Sequence, residues 1–389
     1  MDRKKIVVVT ATRAEYGLLK TIIQKLRQSE YFQIELAVTG MHLSPEFGST
    51  YREIEEDGIE IDNKIEILLG SDTPVAMSKT MGLAMISFAE YFDKSKPDAV
   101  MVLGDRYETL AVCCAAMNAR IPIFHLHGGE ATEGAIDEAV RHAISKMSYF
   151  HFTSTEIYRK RVIQMGESPD RVFNVGAVGV ENVLQEQLMS KSELEESLRV
   201  NLDRPYAVVT FHPVTLESGS VESQMQELLD ALDEHPEYIY ICTKANADAG
   251  GRKINQMLEA YVSKRENVSV YGSLGMKRYL SAVKYAAMVI GNSSSGIIEV
   301  PSFGIPTINI GDRQRGRIQA DSIINCPSNR AEISKCIRLA QSDVFCAMAR
   351  KVENPYGAGN TSDAVLSILE ERFATQNLDM KKKFYDLSF

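Results

Sequence analysis

The chain has 389 residues, of which 44% are hydrophobic and 24% charged, with a formal net charge of −9. That length favours two domains of ordinary globular composition, and the acidic balance argues against broad binding to nucleic acid or anionic membrane. A small anion held by a few cations in a cleft stays compatible with it.

The opening MDRKKIVVVT sets basic residues before an apolar run too short for a signal peptide, so it reads as a first strand. No later apolar stretch approaches the ~20 residues that cross a bilayer. Six cysteines (Cys113, Cys114, Cys242, Cys326, Cys336, Cys346) form no C-x-x-C pair and read as reduced core thiols of a cytoplasmic protein.

Strands and helices alternate from there on. In the first half, strands are expected at Lys5–Thr10, Gln33–Val38, Ala99–Leu103, Ile121–His125 and Tyr149–Thr153. Helices are expected at Gly17–Gln28, Ser78–Ser95, Tyr107–Asn118, Asp137–Met147 and Glu156–Met165. Runs such as IVVV and AVMVL suit strands buried on both faces, and the alternation implies a parallel sheet with right-handed crossovers. The second half repeats the theme at Tyr206–Phe211, Tyr238–Cys242, Asn267–Val270, Met288–Ile290 and Thr307–Ile310. The fold class is therefore α/β, with two doubly wound Rossmann-like domains expected at 1–178 and 179–365 and a C-terminal helix and tail over 366–389. Two such domains facing one another would bind a ligand in the cleft at the carboxyl edges of their sheets.

The chemistry should then lie just past the strand ends. Asp105 and Arg106 follow the AVMVL strand, and Glu130 follows His127-Gly128-Gly129. Asp137 opens a helix that carries Arg141 and His142. Three carboxylates from adjacent loops of one edge can supply acid and base forms at neutral pH. Each also has a plain structural reading. Asp105 can cap a tight turn, and Asp137 can be a helix N-cap with Arg141 as its i+4 partner. Glu130 is harder to explain that way, because two preceding glycines suggest close approach of backbone to something bound. His125-x-His127 has the alternation of a metal pair, but His125 lies in an apolar strand and no metal is expected.

In the second half His212 follows a buried strand in FHPVT, and Lys244 and Asn246 follow the next one. Arg13 follows the first strand of all, at a helix N-terminus. The segment GNSSSGIIEVPSFGIPTINIGDRQRGR (291–317) offers a small-residue loop, a helix, a strand and an Arg-bearing loop. Ser293, Ser294, Ser295 and Gly296 suit a diphosphate, Glu299 lies about 7.5 Å further on at helical rise, within reach of a ribose, and Arg317 supplies counter-charge. There is no G-x-S-x-G elbow, no G-x-x-x-x-G-K-[ST] loop and no G-x-G-x-x-G after the first strand.

Taken together, TRAEYG (12–17), VTGMHLSPEFG (38–48), VLGDRYE (102–108), HLHGGEATEGAIDEAVRHAISKMS (125–148), FHPVT (211–215), GNSSSGIIEVPSFG (291–304) and INIGDRQRGR (308–317) resemble the hydrolysing UDP-N-acetylglucosamine 2-epimerases of sialic acid biosynthesis. The resemblance implies a GT-B-like fold and conversion of UDP-N-acetylglucosamine and water to N-acetylmannosamine and UDP, without a cofactor. It places Asp105, Glu130 and Asp137 as catalytic carboxylates. Arg13, His212, Ser293, Ser294, Glu299 and Arg317 match residues around the UDP, with His212 expected to assist catalysis at the diphosphate. Arg106, Arg141, Lys244, Asn246, Ser295 and Gly296 are expected beside them as binding residues. The same motifs fit hydrolysing enzymes acting on a UDP-linked 2,4-diacetamido-trideoxy sugar, and less closely the non-hydrolysing epimerases or a GT-B glycosyltransferase. A homodimer or homotetramer is the family expectation.

Overall fold

The computed structural model describes residues 3–71, 73–131, 136–214, 220–245, 250–357, 359–374, 376 and 378–387. They form two compact units. The first holds residues 1–130, 137–182 and 356–389, and the second holds 131–136 and 183–355.

The first unit is built on β1 (Lys4–Thr10), β2 (Phe32–Thr39), β3 (Asn63–Ile65), β4 (Ala99–Leu103), β5 (Ile123–Leu126), β6 (Phe150–Thr153) and β7 (Val172–Asn174). The sheet order is β3-β2-β1-β4-β5-β6-β7 and every pairing is parallel. In the second unit β8 (Tyr206–Thr210), β9 (Ile239–Thr243), β10 (Val268–Tyr271), β11 (Met288–Gly291), β12 (Thr307–Ile310) and β13 (Ile323–Cys326) form an all-parallel sheet in the order β10-β9-β8-β11-β12-β13. Both orders reverse direction beside their first strand, as in doubly wound Rossmann sheets. The switch points fall between β1 and β4 and between β8 and β11.

All ten expected strands are present within a few residues. The three that periodicity did not reveal, β3, β7 and β13, are all sheet edges. Their sequences NKI, VFN and IINC keep polar residues exposed or half-buried, whereas AVMVL of β4 is buried throughout. The first helix begins at Arg13, not Gly17, because Thr12 and Glu15 close a capping box ahead of the apolar pattern. It then buries Tyr16, Leu19, Ile22, Ile23 and Leu26 along one stripe.

The division of the chain differs from the expected one at both ends. Position 178 opens the helix Val178–Gln185, and the units part within it, between Asn182 and Val183. Glu181 of that helix is fully buried and accepts bonds from the Ser362 backbone N–H at 2.7 Å and from the Ser362 hydroxyl. The return to the first unit starts at Tyr356, so the helix Thr361–Leu369 belongs there, and its end is followed by a π-helical turn over Glu370–Ala374. Val365, Leu369 and Phe373 join the first unit's main apolar cluster, which is the physical reason for the earlier return.

Candidate functional site

In the first unit the expected residues sit past β1, β4 and β5, which neighbour one another in the sheet. Arg141 organises them. Its side chain is 2% exposed, and its guanidinium donates to the Asp105 carboxylate and, at 2.9 Å, to the Glu130 carbonyl. A third acid, Glu138 Oε2, lies 3.7 Å from it. Asp137 opens the helix Asp137–Met147 one turn before Arg141. One guanidinium thus holds the Asp105 carboxylate by a side-chain pair and the Glu130 backbone by its carbonyl.

Glu130 is itself 1% exposed. Its Oε1 accepts from Ser154 Oγ at 2.7 Å and lies 3.0 Å from His127 Nδ1. Ser154 follows β6, so two neighbouring strand ends, those of β5 and β6, supply this carboxylate and its partners. The loop turns tightly here: Gly129 has φ 78°, and a Cβ on it would stand 2.6 Å from the Tyr158 carbonyl oxygen.

His125, considered as half of a metal pair, is a supporting residue instead. Its Nε2 lies 2.7 Å from the Gly104 carbonyl, which obliges that nitrogen to carry the proton, and Nδ1 faces Ser145 Oγ at 3.3 Å. Burial pushes its pKa down to about 3, so the imidazole is neutral at pH 7 and steadies the Gly104–Asp105 turn. Among the described residues no group of three His, Cys, Asp or Glu side chains is arranged to hold a metal.

Near Arg13, which opens its helix, a further acid stands out. Glu15 is 8% exposed, and its Oε2 accepts from the backbone N–H groups of Ala11 at 2.7 Å and Thr12 at 3.1 Å. Burial raises its pKa to about 7, opposed by the charge of Arg106 and reinforced by Glu108. Arg106 donates through Nε to the buried Glu108 at 3.0 Å, so this expected binding cation already holds an acid of its own unit.

In the second unit the switch point joins His212 to the GNSSSG loop. Asn292, fully buried, accepts from the His212 N–H at 2.7 Å and donates to the His212 carbonyl at 2.8 Å. The Asn292 carbonyl in turn accepts from Gln314 Nε2 at 2.8 Å and Arg313 at 3.3 Å, which ties the Arg317 loop to the same point. Ser293 caps the five-residue helix Ser294–Ile298, with Ser295 inside it, and Glu299 closes it. Gly296 packs on Thr307, whose hydroxyl donates to its carbonyl at 3.0 Å. Lys244 follows β9 but its ammonium lies 2.5 Å from Glu259 of the helix Gly251–Val262. Asn246 and Thr215 lie outside the described residues.

Ser154, Asn292 and Gln314 were not singled out from the sequence, since nothing marks a serine or an amide as a clamp until its partner is located. Glu15 did carry a signal, the Thr12-x-x-Glu15 spacing of a capping box.

Two Rossmann-like parallel sheets with polar clusters past their strand ends define a GT-B-like α/β protein. The family model described as UDP-N-acetylglucosamine 2-epimerase matches residues 24–370. The chain belongs to that family, within its hydrolysing group. It is 44% identical over 330 residues, 85% of this chain and 86% of the relative, to a Campylobacter jejuni protein named GDP/UDP-N,N'-diacetylbacillosamine 2-epimerase (hydrolyzing). It is 41% identical, over 99% of this chain and 98% of the relative, to polysialic acid biosynthesis protein P7 of Escherichia coli. Among solved structures, a UDP-N-acetylglucosamine 2-epimerase from Listeria monocytogenes shares the fold with a TM-score of 0.81 at 18% identity, covering 99% of this chain and 100% of that one. No helix among the described residues is long and apolar enough to cross a membrane.

Proposed function

We propose that this hydrolysing UDP-sugar 2-epimerase acts on UDP-N,N'-diacetylbacillosamine, releasing UDP and the free 2-epimer of the sugar. The name of the 44% identical relative supports that sugar. UDP-N-acetylglucosamine, giving N-acetylmannosamine, is the second reading, favoured by the relative named for polysialic acid biosynthesis, which matches 99% of the chain. The observation that carries the chemistry is Arg141 fastening Asp105 and Glu130 at one sheet edge, one turn from Asp137.

The C2 proton of such a sugar is not adjacent to a carbonyl and is poorly acidic, so departure of UDP leads. The C1–O bond breaks, and the oxocarbenium character that develops is stabilised by nearby carboxylates. One carboxylate then takes the C2 proton, leaving a glycal. Water adds its oxygen to C1 while a proton returns to C2 from the opposite face. Net, one water is consumed and UDP is freed. Two faces need two proton-handling groups, for which Glu130 and Asp137 are proposed, with Asp105 orienting or stabilising. Arg13, His212 and Arg317 would balance the diphosphate charge, the serines 293–295 would donate to it, and Glu299 would take the ribose. Arg141 is assigned to positioning, because its donors serve Asp105 and Glu130.

The test is incubation with each UDP-sugar alone in deuterated water, followed by proton NMR. Free 2-epimer carrying deuterium at C2, formed faster from the diacetamido substrate, is the expected result. A UDP-linked epimer as the final product would overturn hydrolysis, and faster turnover of UDP-N-acetylglucosamine would select the second reading.

A further inference from the structure

His127 carries a backbone strain that its turn does not need. It is the first residue past β5 and sits at φ 66°, in the left-handed region. A non-glycine residue there costs on the order of 1 kcal/mol or more, which a glycine would avoid. Two glycines follow it directly, so a third would suit the turn. The backbone bond that anchors the position, from the His127 N–H to the Phe152 carbonyl at 2.9 Å, does not depend on the side chain.

The side chain is what the strain retains. The ring is buried, with the residue 6% exposed, and Nδ1 lies 3.0 Å from Glu130 Oε1. That oxygen also accepts from Ser154 Oγ at 2.7 Å. Nε2 is buried and has no partner among the described residues. An ionised carboxylate accepts only, so Nδ1–H is the donor in this contact.

We infer that His127 is a positioning residue for Glu130. Its Nδ1–H and the Ser154 hydroxyl converge on Oε1 and fix the carboxylate plane. The inference rests on Glu130 as a proton-handling carboxylate. In that role Glu130 takes one proton from C2 and becomes a neutral acid, or runs the reverse. The imidazole neither gains nor loses a proton in the step; it holds the acceptor still. An error of about 1 Å in such a group costs on the order of 100-fold in rate.

His127→Gly, His127→Asn and Glu130→Gln, assayed with whichever UDP-sugar the wild-type chain turns over, test this. The glycine variant relieves the strain but gives up the burial of the ring, so thermal midpoints taken beside the kinetics check that each variant is folded. The kcat of His127→Gly should fall about 100-fold with KM little changed, a split that a merely structural role would not produce. Asparagine tolerates left-handed backbone and offers an amide N–H near the Nδ1 position, so His127→Asn should recover part of kcat. Wild-type kcat in His127→Gly, with Glu130→Gln inactive, overturns the positioning role while leaving that of Glu130 standing. Equal kcat in His127→Asn and His127→Gly overturns the hydrogen bond as its basis. Near-normal turnover in Glu130→Gln removes the reading on which the inference rests.

Discussion

Arg141 shows how a residue's type and its partner carry different information. As a cation on the helix that follows the Glu130 loop, it reads from sequence as a substrate-binding residue or as the i+4 partner of Asp137. Folded, it is 2% exposed and bonded to Asp105 and to the Glu130 carbonyl. A buried guanidinium demands such partners, because desolvating an unpaired charge costs several kcal/mol. That Asp105 and Glu130 come from neighbouring strand ends was legible from their places just past buried strands, although Asp105 alone could as well cap a turn. What was not legible is which contact each cation makes, as with Lys244 on Glu259 and Arg106 on Glu108. Glu15 yields a prediction at this scale. Its folded pKa of about 7 lies above the ordinary 4.5, chiefly through burial. The folded state therefore holds that proton more tightly than the unfolded one. Its contribution to stability is complete below pH 4.5 and is lost as pH rises through 7. Glu15→Gln keeps an acceptor for the Ala11 and Thr12 N–H groups but cannot ionise. Urea denaturation at pH 5 and pH 8 should show the variant gaining on wild type by on the order of 2 kcal/mol between the two. A difference that stays constant with pH would count against the raised pKa.

Among the elements, strands buried on both faces announce themselves, whereas three of the four edge strands do not. IVVV and AVMVL have no polar face to break the run, whereas NKI, VFN and IINC border solvent and read as loop. An edge strand is specified by its one neighbour, and that pairing is a long-range fact. β3 pairs through Ala37–Thr39 of β2, and β13 through Thr307–Ile310 of β12. At the second unit's switch point the backbone itself is the constraint. Gly291 has φ 137°, and a Cβ built on it would lie 1.9 Å from the Thr210 carbonyl oxygen, across the β8–β11 pairing. No side-chain rotation relieves a clash with a carbonyl. Gly291→Ala should therefore push β11 from β8 and loosen the Asn292 clamp on His212, at a cost of about 3 kcal/mol. A thermal midpoint within a degree or two of wild type would show that this backbone geometry is not required.

The chain as a whole is threaded so that its last segment completes the unit it began. Lys382 and Lys146 both reach the buried Glu167, each at 2.6 Å, and together with His151 they hold its pKa down to about 2 against the opposing effect of burial. The Tyr385 N–H donates to the Gly166 carbonyl at 2.9 Å. The larger contribution is apolar. Phe373, 2% exposed, stacks on Phe32 of β2 with ring centroids 6.2 Å apart and meets Phe124 of β5 edge-on at 5.1 Å. One ring from the end of the chain thereby bridges two strands of the first sheet, and deleting it leaves a cavity between partners that cannot both close inward. Phe373→Ala should cost about 3–5 kcal/mol. Because the lost contacts all lie in the first unit, the loss should be local in its readout. Amide hydrogen exchange should show faster exchange in β1, β2, β4 and β5, with the strands β8, β9, β11 and β12 retaining their protection. Uniform loss across both sheets would mean that the two units unfold as one cooperative body, and unchanged exchange in the first would mean that the C-terminal segment is not integral to its core.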